Sequence, residues 1–425
     1  NSFIFYGFGY SILNGKTGWE NSLGFFTLFN AFIHFGIGFL IKQFRLGDKT
    51  VFYLTMILVL TFLSIAIPIQ TNGKWTALFW TAEAVTLFGI GRTKKIALFE
   101  NYSYPVMGLA GFALLADWAE LMSKGYSIET IVYPFFNQHF VVGIFFVICF
   151  GLIIYFNRNK KYESSLPTEL AEIVKFGIGA VFLFALYNIF RNEIANYYNW
   201  QQVTTAVQVK TEYDNSSYSF TNPALTSFNL LWQLNYSIIF LTILAWVNIK
   251  KINSAVLGYA NLVLNSLFTA LFLLLGLYIL SDLRDLYFGS KIEYFKFGIF
   301  NLLIRYISIP FVLFLFWTTF NYIKQEFINR HIPFQTLLFL FDLGFYFSLW
   351  ILVSSELLHW MDIFGVQDSY KLGLSILWGI YALLLIILGI YLRKTHLRIG
   401  AIVLFTLTLL KLFLYDLSDL GTISK

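Results

Sequence analysis

Charge is scarce in this chain: Asp, Glu, Lys and Arg make up only 12% of it, about half of what a soluble domain carries. So little charge, with no long polar stretch, excludes a sizeable soluble domain. Cysteine is almost absent. The single Cys149 lies within an apolar run and rules out an internal disulfide, so cysteine usage says nothing about redox compartment. Catalytic signatures are missing as well. The sequence contains no His-Glu-x-x-His, no Gly-x-Ser-x-Gly, no Gly-x-x-x-x-Gly-Lys and no close Cys/His set, so neither a resident metal nor another cofactor is expected.

What is present is hydrophobic sequence. Hydrophobic residues account for 58%, and apolar runs long enough to cross a hydrocarbon core of about 30 Å recur from end to end. We expect an all-α polytopic transmembrane bundle of about thirteen spans in a lipid bilayer. They fall near residues 2–14, 22–42, 50–68, 75–91, 103–120, 139–157, 171–192, 226–248, 254–281, 296–323, 334–358, 371–393 and 397–417. The chain opens at Asn1 inside an apolar run, and truncation at both ends is expected.

The basic residues give an orientation. Loops after the even-numbered spans hold sixteen Lys and Arg, among them Arg92, Lys94, Lys95, Arg158, Lys160, Lys161, Arg393, Lys394 and Arg398; the opposite loops hold ten. By the positive-inside rule the richer side is cytoplasmic, which also puts the first residues of this chain in the cytoplasm. The net charge of +6 is thereby an orientation signal and gives no reason to expect nucleic acid. Two long loops lie on the other side. Residues 127–134 are compatible with a short interfacial helix. Within residues 197–225, Val207 and Val209 alternate before a turn-forming cluster, which reads as a small β-hairpin or an irregular loop.

Internal repetition is the strongest pattern. Leu-x-Asp-x-x-Asp/Glu-Leu closes the fifth, ninth and thirteenth spans, carrying the pairs Asp117/Glu120, Asp282/Asp285 and Asp416/Asp419. Phe-Asn opens the second, sixth and tenth spans at Asn30, Asn137 and Asn301, and a Trp stands early in the fourth, eighth and twelfth at Trp80, Trp232 and Trp378. A period of four spans follows. After a first segment, 1–21, the expected copies occupy 22–121, 122–294 (with 197–225 as an outer insert) and 295–425, entering the membrane in the same direction. Acids three apart share one helix face, and at a helix C-terminus the macrodipole disfavours them. A compensating cation, Arg or helix N-terminus is therefore expected beside each pair. The alternative role for these acids and Asn residues is to solvate and cap helix ends.

Ionisable residues inside spans are costly and mark candidate sites. Here they are Glu83, Arg305, Asp342, Glu356 and Lys411, with Lys175 placed to snorkel. Pairing between helices and a polar path through the bundle are the two roles open to them. His359 alone among the five histidines has acidic company, in Glu356 and Asp362.

The run from Ile69 through Trp75 and Trp80 to Glu83, closed by Gly91, resembles a segment of the bacterial multi-pass membrane proteins called domain of unknown function 2339. The stretch from Arg398 and Gly400 to Lys411 and Asp416 resembles their C-terminal segment, and Arg305-Tyr306 and Ser355-Glu356-Leu357 are weaker echoes. The resemblance implies an inner-membrane protein of undefined activity, with a coiled-coil-prone region before the first span and a further helix after the last. Three functions stay open on the residues. The first is a non-enzymatic scaffold or conduit in an envelope assembly, with protein partners. The second is a transporter or flippase for a lipid-linked or anionic envelope component, and the third a membrane-embedded transferase.

Overall fold

The computed structural model describes residues 1–15, 22–44, 49–71, 73–123, 131–159, 161–210, 217–289, 294–366 and 370–416. The chain divides into two compact units, Asn1–Thr204 and Thr205–Lys425.

The first unit contains α1 (Ser2–Asn14), α2 (Leu23–Phe44), α3 (Lys49–Gln70), α4 (Lys74–Lys94), α5 (Ala97–Ser123), α6 (Gln138–Arg158) and α7 (Thr168–Thr204). Between apolar helices in lipid there is little hydrophobic drive, so association rests on close packing, and small residues permit it. α4 and α5 form the most intimate pair, with Ala77, Ala84 and Ala110 fully buried between Phe88, Val106 and Leu114. α6 adds Val142, Phe146, Phe150 and Ile153 to that core, and α7 adds Ile178, Ala185 and Ile189. α2 and α3 pack as a second pair. The turn from α4 to α5 is tight. Lys95 takes the left-handed conformation at φ 55°, and a Cβ on Gly91 would stand 2.5 Å from the backbone nitrogen of Glu100. Only glycine fits there.

The second unit opens on an antiparallel hairpin, β1 (Val207–Lys210) with β2 (Ser217–Phe220), registered Val207 to Phe220 and Lys210 to Ser217. Of the hairpin and the irregular loop left open by the sequence, the hairpin is formed. Then come α8 (Pro223–Ile252), α9 (Ala255–Gly289), α10 (Phe300–Ile323), α11 (Phe334–Ile363), α12 (Tyr370–Tyr391) and α13 (Thr395–Leu414), with one turn at Glu326–Asn329. Asn222 and Ser254 cap α8 and α9, accepting from Ala224 N and Leu257 N, and Pro223 occupies the first turn, where its missing N–H costs nothing. α8 packs on α9 and α10, α11 on α10 and α12, and α12 on α13. A single π-helical turn ends α8 at Asn248–Ile252, and another interrupts α9 at Phe272–Gly276. At the first, buried Asn248 accepts from Ser254 N at 2.9 Å and bonds to the hydroxyl of Tyr322, tying the turn to α10.

Among the described residues eleven helices, α2, α3 and α5 to α13, are long and apolar enough to cross a membrane. α1, at 13 residues, is short for a span. α4 has the length but carries four Thr, Glu83 and Arg92 among its apolar residues. α7 corrects the expected boundary. It extends to Thr204, and its 37 residues cover about 55 Å at the helical rise, more than a hydrocarbon core requires. Residues 131–137 are not helical; the rest of the proposed interfacial helix, 127–130, lies outside the described residues.

Candidate functional site

Each unit gathers its polar side chains into clusters at helix ends. In the first unit the densest lies where α4 turns into α5. Arg92 Nε stands 2.9 Å from Glu100 Oε1, and both side chains are almost fully buried. The guanidinium also donates to the carbonyl of Tyr162 at 3.0 Å and to Asn157 Oδ1 at 2.7 Å. The carboxylate accepts from Tyr104 and Ser164 hydroxyls at 2.8 Å and from Ser165 N at 2.9 Å. One ion pair thus binds α4 and α5 to α6 and to the segment leading into α7. Arg92 counts in the sequence only as a loop cation, and Glu100 carries no mark at all. Their eight-residue spacing has meaning only once the turn at Lys95 folds them together.

At the far end of α5, Asp117 accepts from His139 Nδ1 at 2.9 Å, at the start of α6. Buried Glu193 of α7 accepts from Phe135 N at 2.7 Å and Asn137 Nδ2 at 2.8 Å, while Asn137 Oδ1 caps α6. Glu193 was not foreseen from sequence. Glu83 stands apart from both clusters. Its Oε1 accepts from Ser64 at 2.6 Å, and its Oε2 is buried without a hydrogen-bond partner.

In the second unit a longer constellation joins the C-terminal ends of α9 and α11 to the starts of α10 and α12. Arg284 pairs with Asp285 at 2.9 Å and with Asp362, which also receives the Tyr370 hydroxyl. Arg305, 1% exposed, donates to Glu356 and Ser355 on α11. One turn along α11 lies His359, fully buried, with neither ring nitrogen hydrogen-bonded; Arg305 Nη1 is likewise buried without a partner. The Tyr306 ring stands edge-on to His359 at 6.3 Å.

Toward the start of α11, Asp342 accepts from Lys394 Nζ at 2.6 Å and His396 Nε2 at 2.9 Å. Lys411 of α13 donates to the Lys371 carbonyl at 2.7 Å and Ser375 Oγ at 2.8 Å on α12, with Trp378 at 5.9 Å. Arg305 therefore finds Glu356, and Asp342 finds Lys394 and His396.

In the two copies whose side chains are described, the acids find partners by different means. Asp117 has His139, Asp282 accepts from Ser227 at 2.7 Å, and Asp285 has Arg284. Glu120 is exposed near Gly73; the Asp416 side chain and all of Asp419 lie outside the described residues. Of the three Asn markers, Asn137 caps its helix. Asn30 sits two turns into α2 and bonds back to the Phe26 carbonyl at 2.8 Å, and Asn301 reaches the Leu283 carbonyl at 3.2 Å. The capping role expected of all three belongs to Asn137, because α2 starts before Asn30 and α10 at Phe300. Trp80 and Trp378 each donate to a serine on the preceding helix, to Ser64 O at 2.9 Å and Ser354 Oγ at 3.0 Å; Trp232 is half-buried in α8.

Neither a curated protein nor a solved structure matches the chain. A family model described as a predicted membrane protein does, over residues 16–425. With eleven apolar helices beside that match, the chain is a multi-pass membrane protein and belongs to the family named domain of unknown function 2339.

Proposed function

We propose that this protein is a non-enzymatic component of a larger assembly in a bacterial inner membrane, holding partners as a scaffold or conduit element. The observation that carries the reading is the closure of charge within each unit. Arg92 meets Glu100, Arg305 meets Glu356, and Asp342 meets Lys394 and His396, each pair locking neighbouring helices. Charges so engaged hold a frame. A translocation path needs groups that exchange partners with a moving substrate. Photoreactive side chains at the outward-facing positions Phe347, Leu383 and Ile402 should, in native membranes, give discrete protein adducts. Adducts to lipid alone from every position would overturn the reading.

The second reading is transport or flipping of an anionic, lipid-linked envelope component. It is favoured by the polar atoms of Arg305 Nη1 and the His359 ring, which no group among the described residues satisfies.

The four-helix repeat gains local support. The turns α4–α5, α8–α9 and α12–α13 each place one non-glycine residue in the left-handed region: Lys95, Asn253 and Arg393 at φ 55°, 54° and 56°. Gly91 and Gly389, each close against the residue nine further on (Glu100 and Arg398), repeat the same tight corner.

Orientation follows the basic loops. With the native Cys149 buried, single cysteines at Lys161 and Thr205 report the two faces. An impermeant maleimide added to intact spheroplasts should label Thr205→Cys and spare Lys161→Cys, and the reverse pattern would invert the topology.

A further inference from the structure

Among the described residues Glu83 is the helical acid that buries a carboxylate oxygen with no hydrogen-bond partner. Glu100, Asp117, Asp342, Glu356 and Asp362 each have an Arg, Lys or His within ion-pair distance. Glu193 has two amide donors. Glu83 has one hydroxyl, and among the described residues no cation bonds to it. What surrounds it is a string of oxygens. Ser64 Oγ lies 3.5 Å from the Tyr102 hydroxyl, Tyr102 donates to Thr61 Oγ1 at 3.3 Å, and Thr61 bonds to the Ile57 carbonyl at 2.8 Å. Trp80 Nε1 covers the Ser64 carbonyl, so that oxygen is already taken.

The ionisable groups on the elements packed against α4 are placed too far away, or are too occupied, to serve as counter-ions. On α4 itself Lys74 and Arg92 each stand nine residues from Glu83, about 13 Å along the helix, and Lys94 lies further. Arg92 is committed to Glu100. α3 contributes Lys49 and Tyr53 near its start. Besides Tyr102, α5 contributes Glu100, its hydrogen-bonded partner Tyr104, and Asp117 and Glu120 near its far end. α6 contributes His139, bound to Asp117, with Tyr155 and Arg158 at its other end.

An ionised carboxylate withdrawn from water without a counter-ion is strongly disfavoured, and the group neutralises instead. We infer that Glu83 is a reversible proton-binding site inside the first unit, loaded and unloaded through the hydroxyls of Ser64, Tyr102 and Thr61. In the loading step Ser64 passes its hydroxyl proton to Glu83 Oε1, Tyr102 and Thr61 each hand one proton on and take another, and solvent supplies the last. Rotation of the carboxyl then exchanges its two oxygens so that Ser64 again donates to the unprotonated one, and no other bond changes. The site stands apart from the assembly reading, since it uses no paired charge, and it gives the frame a group able to sense or carry protons.

Dicyclohexylcarbodiimide, which attacks protonated carboxyls in apolar surroundings, tests this on the full chain in lipid nanodiscs at neutral pH. Peptide mass analysis should find Glu83 modified at least tenfold more than Asp342 or Glu100. Glu83→Gln should abolish that adduct while keeping the thermal transition of the parent. Infrared spectroscopy supplies a second readout. The carboxylic C=O stretch lost in Glu83→Gln should move to higher frequency in Ser64→Ala, which deletes the hydrogen bond to that carbonyl. An unmodified Glu83 in the folded protein, with no carboxylic band to lose, would overturn the proposal. Protection of Glu83 by sodium chloride at constant ionic strength would also overturn it, assigning the oxygens to a metal cation.

Discussion

Replacing Arg92 with Ala is expected to cost about 3–5 kcal/mol of stability, the range for breaking a buried ion pair on one side. The reason lies in what remains. Glu100 is 2% exposed as a side chain, so without Arg92 its charge keeps only the hydroxyls of Tyr104 and Ser164 and the Ser165 amide. Arg92 also holds the Tyr162 carbonyl and Asn157, so α6 loses its tie to α4 in the same step. Glu100→Ala should be comparably damaging, because it leaves the guanidinium buried. The double variant should cost less than the sum of the two, since the pair forms one network. Unfolding in mixed micelles, followed by tryptophan fluorescence, measures all three. Equal and strictly additive losses below about 1 kcal/mol would mean that the pair is not a structural clamp.

A second pair gives an asymmetric result. Arg305 is 1% exposed and Glu356 27%. Glu356→Leu strands a fully buried guanidinium and should cost about 3–5 kcal/mol. Arg305→Met leaves a carboxylate that is only partly buried, and its cost should be clearly smaller. Arg305→Met combined with Glu356→Leu should return to within about 1 kcal/mol of the parent, because apolar replacement of both members of a buried pair is often neutral. The same double variant separates the two functional readings. A scaffold keeps its photo-adducts in that background, whereas a transporter using Arg305 and His359 to meet an anion loses transport though it folds.

Much of the architecture was legible in the chain. In hydrocarbon every backbone polar group must be satisfied within its own helix, so each long apolar run has essentially one structure to adopt. Accordingly α1 to α13 stand where those runs stand. The alternation at Val207 and Val209, broken by a turn-forming cluster, left a hairpin and an irregular loop both open, and the pairing of β1 with β2 decides for the hairpin. Compensation of the acids in the repeated motif followed from the macrodipole alone, and Asp117 and Asp285 have it.

Which charge meets which was not legible. Glu83, Asp342, Arg305 and Lys411 are all ionisable residues in helices, and nothing local says that Arg305 finds Glu356, that Asp342 takes Lys394 and His396, or that Glu83 is left with a hydroxyl. Arg92 and Glu100 look like unrelated residues until the corner at Gly91 and Lys95 brings α5 back along α4. Helix formation is settled by interactions a few residues apart. Pairing depends on the rotation and depth of each helix against its neighbours, which close packing of small residues such as Ala84 and Ala110 sets only in the assembled bundle.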